Sequence, residues 1–164
     1  MQETTCPGCG LTLTVTDTPA KVGYFNCSPE CWVVWSEIIA AEYGSFILFR
    51  QVHQLTVDAY AVQHAGGPHP DKSLGVHLSG LHVVFEQGRQ PATVAPLLQR
   101  LAGTIDVWPH FSPPEDRGPL TVLEVSPSGS AETHITSVRA WAKSVWQAWS
   151  MHHTGVADLV ARYL

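Results

Sequence analysis

Residues 53–64 read HQLTVDAYAVQH, a segment that begins and ends with histidine and carries an aspartate and a tyrosine between them. An α-helix turns by about 100° per residue, which places His53, Tyr60 and His64 on one stripe of such a helix. Leucine, alanine and valine fill the other faces, and a helix that is apolar nearly all round lies at the centre of a fold. Each of the two histidines then needs a hydrogen-bond partner or a metal ion, because an unpaired buried polar group costs about 1–3 kcal/mol.

Helix signals on both sides of this segment predict a mainly α fold. Ser28 and Pro29 suit the start of a first helix, which Gly44 ends. The predicted helices cover about 28–44, 46–64, 73–86, 93–103 and 132–152. We expect Thr93 to cap the fourth of these helices and Gly155 to end the last one. The expected architecture is an irregular helical bundle of three long and several short helices with an N-terminal zinc-knuckle segment.

The loop-rich residues 104–130 contain one ordered piece, TVLEV, around residues 121–125. Thr121 and Glu124 have the spacing of a capping box for a short helix, although a strand is equally consistent with this sequence.

All four cysteines lie within the first 31 residues, as one pair in CPGCG and a second pair in NCSPECW. A C-x2-C pair supplies two thiolates from one tight turn, and a thiolate at the start of a helix is stabilised by the helix dipole. The spacing therefore predicts a zinc site formed by Cys6, Cys9, Cys27 and Cys31. Four thiolates leave no open coordination position, so such a zinc ion is structural.

Several other interpretations of the cysteines stay open. The cysteines could instead form disulfides, act as a redox pair or be unrelated free thiols. A redox motif is usually followed by a helix, whereas CPGCG precedes the strand-like LTLTVT. If only three cysteines bind the metal, a histidine or a water molecule completes its shell, and His53 together with Cys6 and Cys9 is one such mixed arrangement.

The helical core offers a second set of polar residues. The candidates for a second metal site are His53, Asp58, Tyr60, His64, His77 and His153. Two alternatives compete with this site, namely core histidines that are simply hydrogen-bonded and metal-free acid–base catalysis.

Composition limits the classes of function. The 164 residues fit a single domain, with 1–31 as the knuckle and 32–164 as the helical body. The formal net charge of −5 and the scattered basic residues argue against a nucleic-acid partner, and the apolar runs are too short for a membrane span. Only 14% of the residues are charged, so we expect self-association. The N-terminus lacks a leader pattern, which predicts a cytoplasmic protein, and the sequence does not indicate any particular small-molecule ligand.

The segments CPGCG, SPECW, HQLTVDAYAVQH, VHLSGLH and RAWAKSVWQAWSMHH together resemble an uncharacterised family of small bacterial proteins, a domain of unknown function. Its pattern has an N-terminal CPxCG, an SPxCW helix start and a HxLTVDAYxxQH block. The resemblance covers nearly the whole chain and implies roles for Cys6, Cys9, Cys31, His53, Asp58, Tyr60, His64 and His77. The family pattern lacks Cys27 and has a histidine shortly before SPxCW, which implies that Cys27 replaces that histidine as the fourth ligand.

These observations favour a zinc-binding protein of unknown activity in a binding or scaffold role. The alternative is a metal-dependent hydrolase or transferase with an open histidine site in the helical core.

Overall fold

The computed structural model describes residues 2–17, 19–125 and 129–164. The described residues form a two-stranded hairpin, β1 (Glu3–Thr5) and β2 (Thr12–Thr14), followed by six α-helices. The helices α1 to α6 are Pro29–Tyr43, Phe46–Gln63, Asp71–Phe85, Val94–Thr104, Ala131–Ala148 and His153–Tyr163. Short 3₁₀ turns lie at Pro91–Thr93, Val122–Glu124 and Ser150–His152. The predicted mainly α fold is confirmed.

Local signals explain the bounds of α1. The Ser28 side chain accepts a hydrogen bond from the backbone N–H of Cys31, and Pro29 occupies the first turn. The N–H of Gly44 donates back to the carbonyl of Ala40 and closes the helix. Both ends agree with the sequence analysis because a cap depends on residues that are close in sequence.

Helix α2 lies at the centre of the fold, where it packs on α3 and α5. Leu55, Ala59, Tyr60 and Val62 are completely buried, as the apolar faces of the segment predict. The first part of α2 departs from regular geometry, because Phe49–His53 forms a π-helical segment. His53, Tyr60 and His64 nevertheless all face α1, where His53 contacts Glu42 and the other two contact Cys31.

Three predictions about local structure were wrong or remained open, and the structure settles them. Thr93 makes no side-chain cap to α4 and ends a 3₁₀ turn instead. Gly155 lies inside α6, where a Cβ atom would come 3.3 Å from Phe111 Cε1, so its small size permits close packing instead of ending a helix. Thr121 and Glu124 do form a capping box, and the segment is a 3₁₀ turn rather than a strand.

The N-terminal hairpin has CPGCG as its connection, and Glu3 pairs with Thr14 in antiparallel register. Glu30 on α1 accepts a hydrogen bond from the backbone N–H of Thr16 at 3.2 Å, which holds the hairpin against the helix. The predicted division between the knuckle and the helical body, after residue 31, falls inside α1.

Among the described residues, no single helix has both the length and the hydropathy needed to cross a bilayer. Helices α1 and α2 reach these values only as a pair, and they are bent by 104° at the break between them.

Candidate metal centre

Three sulfur atoms and one ring nitrogen converge beside the hairpin. One ligand atom from each of Cys6, Cys9, Cys31 and His64 lies within 4.8 Å of all the others. Cys9 Sγ is 3.9 Å from Cys31 Sγ, and Cys31 Sγ is 3.4 Å from His64 Nε2. Tetrahedral zinc with ordinary bond lengths places two sulfurs about 3.8 Å apart and a sulfur and a nitrogen about 3.6 Å apart. The spacing and the chemistry of these donors therefore fit a zinc-sized ion.

The knuckle positions Cys6 and Cys9 through its backbone. The N–H of Cys6 donates to the carbonyl of Leu11 at 2.7 Å, and the N–H of Gly10 donates to the carbonyl of Cys6 at 2.9 Å. Gly8 lies directly on the ring of His64, where a Cβ atom would be 2.6 Å from His64 Cδ2 and would overlap the carbonyl oxygen of Asn26. A residue without a side chain is thus required for the knuckle to approach the histidine.

Cys31 contributes its thiol from the first turn of α1. Its backbone N–H is bound by the Ser28 hydroxyl, and the positive end of the helix dipole favours a thiolate at this position. The Tyr60 hydroxyl, which is buried on α2, donates toward Cys31 Sγ at 3.6 Å. Helix α1 and helix α2 therefore both stabilise negative charge on this sulfur.

His64 lies at the C-terminal end of α2 and is completely buried. Its Nδ1 is 2.8 Å from the carbonyl oxygen of Tyr60, and a carbonyl oxygen can only accept. Nδ1 consequently carries the proton, which leaves the Nε2 lone pair directed at the cysteines, as a metal ligand requires. The backbone on either side is held by Arg117, which donates to the carbonyls of Gln63 and Ala65, both at 3.0 Å.

The thiols share their protons unequally. Hydrogen bonds from Cys31 and Cys9 hold the pKa of Cys6 well below its usual range, whereas donating to Cys6 raises the pKa of Cys31. A hydrogen bond from Cys31 lowers the pKa of Cys9, but the interaction with Cys6 and burial outweigh this and raise the pKa to about 12. Without a cation the cluster thus favours one thiolate among protonated neighbours, and a divalent cation supplies the positive charge that would let all three sulfurs ionise.

The convergent group differs from the predicted four cysteines in one member. Cys27 is not in the group, and His64 provides the fourth donor instead. Cys27 lies one residue before the cap of α1, whereas Cys31 lies inside the helix. The thiol of Cys27 is partly buried beside the Tyr60 hydroxyl, and burial raises its pKa to about 11.

The other candidate residues lie in separate places. His53 Nδ1 donates to Glu42 at 3.0 Å, and His77 Nδ1 donates to Asp58 at 2.7 Å. His153 Nε2 donates to the carbonyl of Trp146 at 2.8 Å, and its ring stacks on the indole. Tyr60 and His64 belong to the cysteine cluster described above. Within the described ranges, the set of six residues considered for a second metal site therefore does not meet at one point.

A buried polar network between the end of α1 and the first half of α2 was not foreseen. Glu42 on α1 is completely buried and accepts hydrogen bonds from His134 at 2.8 Å, Thr56 at 2.6 Å and His53 at 3.0 Å. Glu42 follows buried Ile38 at helical spacing, so a glutamate on the apolar face of α1 was the available signal.

Comparison with other proteins agrees with the resemblance noted from the motifs. Neither a curated protein nor a solved structure matches this chain. The family of unknown function DUF5946 matches residues 4–150, which include all four converging side chains. Since the match covers most of the 164 residues, the protein belongs to this family.

Proposed function

We propose that the protein binds one zinc ion through Cys6, Cys9, Cys31 and His64, and that the zinc is structural. The observation that carries the proposal is the histidine. Its Nδ1 proton is held by the Tyr60 carbonyl, so Nε2 presents a lone pair 3.4 Å from Cys31 Sγ. Three thiolates and one imidazole nitrogen are a common donor set for structural zinc, and they fill all four tetrahedral positions.

The zinc would connect three parts of the chain that are distant in sequence. Cys6 and Cys9 belong to the hairpin connection, Cys31 to the start of α1, and His64 to the end of α2. The hairpin strands have only three residues each and offer little apolar area for docking. The free energy of metal binding would therefore contribute directly to the folding of the N-terminal segment.

A binding or scaffold role fits this site better than metal-dependent hydrolysis or group transfer. A catalytic zinc needs an open position for water or substrate, and the proposed donor set leaves none. His53, His77 and His153 each donate a hydrogen bond to a protein group, and among the described residues none of them belongs to a cluster that could hold a metal ion. Free thiols suit a reducing compartment, so we place the protein in the bacterial cytoplasm.

The test is the metal content of protein purified without a histidine tag, measured by elemental analysis for two matched pairs of variants. Cys31→Ser is paired with Cys27→Ser, and His64→Ala is paired with His53→Ala. We expect one zinc per chain in the wild type, in Cys27→Ser and in His53→Ala. Competition with a chromophoric chelator should show much weaker binding in Cys31→Ser and His64→Ala, because each loses a ligand.

Two results would overturn the proposal. Loss of zinc in Cys27→Ser with full retention in His64→Ala would mean that four cysteines bind the metal and the histidine does not. Absence of zinc from the wild type after growth and purification with added zinc would refute metal binding altogether.

A further inference from the structure

A surface groove of about 320 Å³ lies between the segment before α1 and the start of α3. It is lined by Tyr24, Pro70, Lys72, Ser73, Val76 and His77. Four of these six residues carry a polar or ionisable side chain. None of the six belongs to the proposed zinc ligands.

His77 borders this groove and also a smaller one beside Gln54, and a carboxylate behind it fixes its ring. Asp58 on α2 is completely buried, and its Oδ1 accepts hydrogen bonds from His77 Nδ1 at 2.7 Å and from Gln54 at 2.8 Å. Because the carboxylate accepts, the proton lies on Nδ1 and the lone pair of neutral His77 lies on Nε2. In the described part of the chain no residue hydrogen-bonds to this Nε2, and the side chain is 16% exposed. Nε2 is therefore free to exchange a proton with a bound molecule.

The buried position of Asp58 lowers the stability of the fold. Its second oxygen, Oδ2, is buried without a hydrogen-bond partner among the described residues, a loss that burial makes severe. Gly80 in the middle of α3 faces this oxygen, and a Cβ atom there would overlap it. Glycine is among the weakest helix formers, so the residue that makes room for the carboxylate also lowers the stability of α3. Costs of this kind concentrate at functional sites, where the geometry is needed for chemistry.

The other end of the groove provides positive charge and hydrogen-bond donors. The first amide of α3 with a backbone acceptor is that of Leu74, which donates to the carbonyl of Pro70. The N–H groups in the preceding turn have no helical partner, and Pro70 as the cap residue offers no side-chain acceptor. Lys72 is exposed in the same groove, and the hydroxyls of Ser73 and Tyr24 lie 3.3 Å apart.

We propose that this groove hydrolyses small esters that carry a carboxylate group, with His77 as the general base. His77 Nε2 takes a proton from water while the water oxygen bonds to the ester carbonyl carbon. The C–O bond to the leaving group then breaks, and the proton passes from the imidazolium to the departing alkoxide. The products are a carboxylic acid and an alcohol, and neutral His77 is restored without any co-reactant other than water.

The other residues have supporting roles in this reaction. Asp58 is a positioning residue that fixes the ring and balances the imidazolium charge. The Tyr24 hydroxyl and the free amides of α3 donate toward the oxyanion that develops on the carbonyl, whereas the Ser73 hydroxyl donates to His69 Nε2. Lys72 pairs with the carboxylate of the ester. The groove has one lysine and no arginine in its lining, so a singly charged group suits it better than a doubly charged phosphate.

The test uses zinc-loaded full-length protein and two probes, 4-nitrophenyl succinate, which has a free carboxylate, and 4-nitrophenyl acetate, which does not. We expect saturable hydrolysis of the succinate ester by the wild type. His77→Gln should lower kcat by about 100-fold, as loss of a general base does. The matched control is His152→Gln, which changes a histidine outside the groove and should leave the rate unaltered.

The supporting roles predict different kinetic effects. Asp58→Asn should lower kcat by roughly tenfold with little change in KM, because it acts through His77 rather than on the substrate. Lys72→Met should raise KM for the succinate ester by about fivefold and leave the acetate ester unaffected. A variant that was merely destabilised would lose hydrolysis of both esters to the same extent.

Zinc content and far-ultraviolet circular dichroism of every variant separate this proposal from the metal site. If His77→Gln keeps its zinc and its helices but loses hydrolysis, the proposal is supported independently of what the zinc does. Hydrolysis by the wild type no faster than in buffer would overturn it, and so would a His77→Gln rate equal to that of the wild type. Loss of activity in Ser73→Ala but not in His77→Gln would also overturn it, since the serine would then be the reacting group.

Discussion

Replacement of Glu42 by alanine tests the buried network that joins three helices. Glu42 on α1 accepts hydrogen bonds from Thr56 and His53 on α2 and from His134 on α5. Alanine removes this acceptor for all three donors at once, and the Thr56 hydroxyl keeps only the Val52 carbonyl, 3.2 Å away. These donors lie in the protein interior, so most of them cannot form a replacement hydrogen bond to water.

The size of the effect follows from these contacts. A buried donor that loses its acceptor costs about 1–3 kcal/mol. His53 is 9% exposed and can recover part of this by binding water, and Thr56 can donate to the Val52 carbonyl instead, whereas His134 is almost completely buried. We therefore expect Glu42→Ala to lower the free energy of unfolding by about 3–5 kcal/mol, the range for breaking a buried charged network.

Urea unfolding at pH 7 with zinc present measures this change, and thermal unfolding should show Tm lower by roughly 6–20 °C. Glu37→Ala is the matched control, because Glu37 lies on the same helix and is exposed. We expect the control to change the free energy of unfolding by no more than about 0.5 kcal/mol. A loss for Glu42→Ala as small as that of the control would refute the idea that the network holds the three helices together.

The pH dependence provides a second measurement. Burial raises the pKa of Glu42, but hydrogen bonds from His134, His53 and Thr56 lower it by more, so it lies below the usual range. A carboxyl with a lowered folded-state pKa stabilises the protein fully above its unfolded value, which is about 4.3. The difference in unfolding free energy between the wild type and Glu42→Gln should thus shrink as the pH falls below about 5.

Three further predictions concern the zinc site and the surface. Gly8→Ala should weaken zinc binding by about tenfold or more in a chelator competition, whereas Gly23→Ala, where a Cβ atom meets open space, should bind like the wild type. Removal of zinc by a chelator should speed amide hydrogen exchange in β1 and β2 and leave the centre of α2 protected; equal loss of protection in both would contradict a local role for the metal. The side chains of Phe46 and Ile47 are 76% and 57% exposed, so we expect light scattering to show self-association that Phe46→Ser weakens, and a monomeric wild type at high concentration would exclude it.

The parts of the fold that the sequence predicts are those controlled by local chemistry. Ser28, Pro29 and Gly44 define α1 through contacts within a few residues, and the capping box at Thr121 does the same for a 3₁₀ turn. The misassigned positions depend on distant residues. Gly155 signals a helix end by itself, but in the structure its lack of a side chain accommodates Phe111, which is 44 positions away.

The candidate metal centre likewise has a part that the sequence predicts and a part that depends on distant residues. Cys6 and Cys9 are recognisable because one tight turn holds both. The fourth member of the cluster is not recognisable from the sequence, because His64 reaches Cys31 across 33 residues and only the packing of α2 against α1 brings them together. Both the cysteine spacing and the family resemblance point to Cys27 as the fourth ligand, whereas His64 is the side chain that converges with Cys6, Cys9 and Cys31.

His64 also connects the zinc site to the proposed active-site groove. Its backbone carbonyl accepts hydrogen bonds from the N–H of Asn26 at 3.0 Å and from His69 Nδ1 at 3.2 Å. His69 Nε2 in turn lies 2.9 Å from the hydroxyl of Ser73 in the groove. A zinc ion that fixes the ring of His64 would fix this carbonyl too, and through it the start of α3. Removal of the metal should therefore loosen the Tyr24 and Ser73 side of the groove, whereas Asp58 behind His77 is held by packing inside the core and should keep its place.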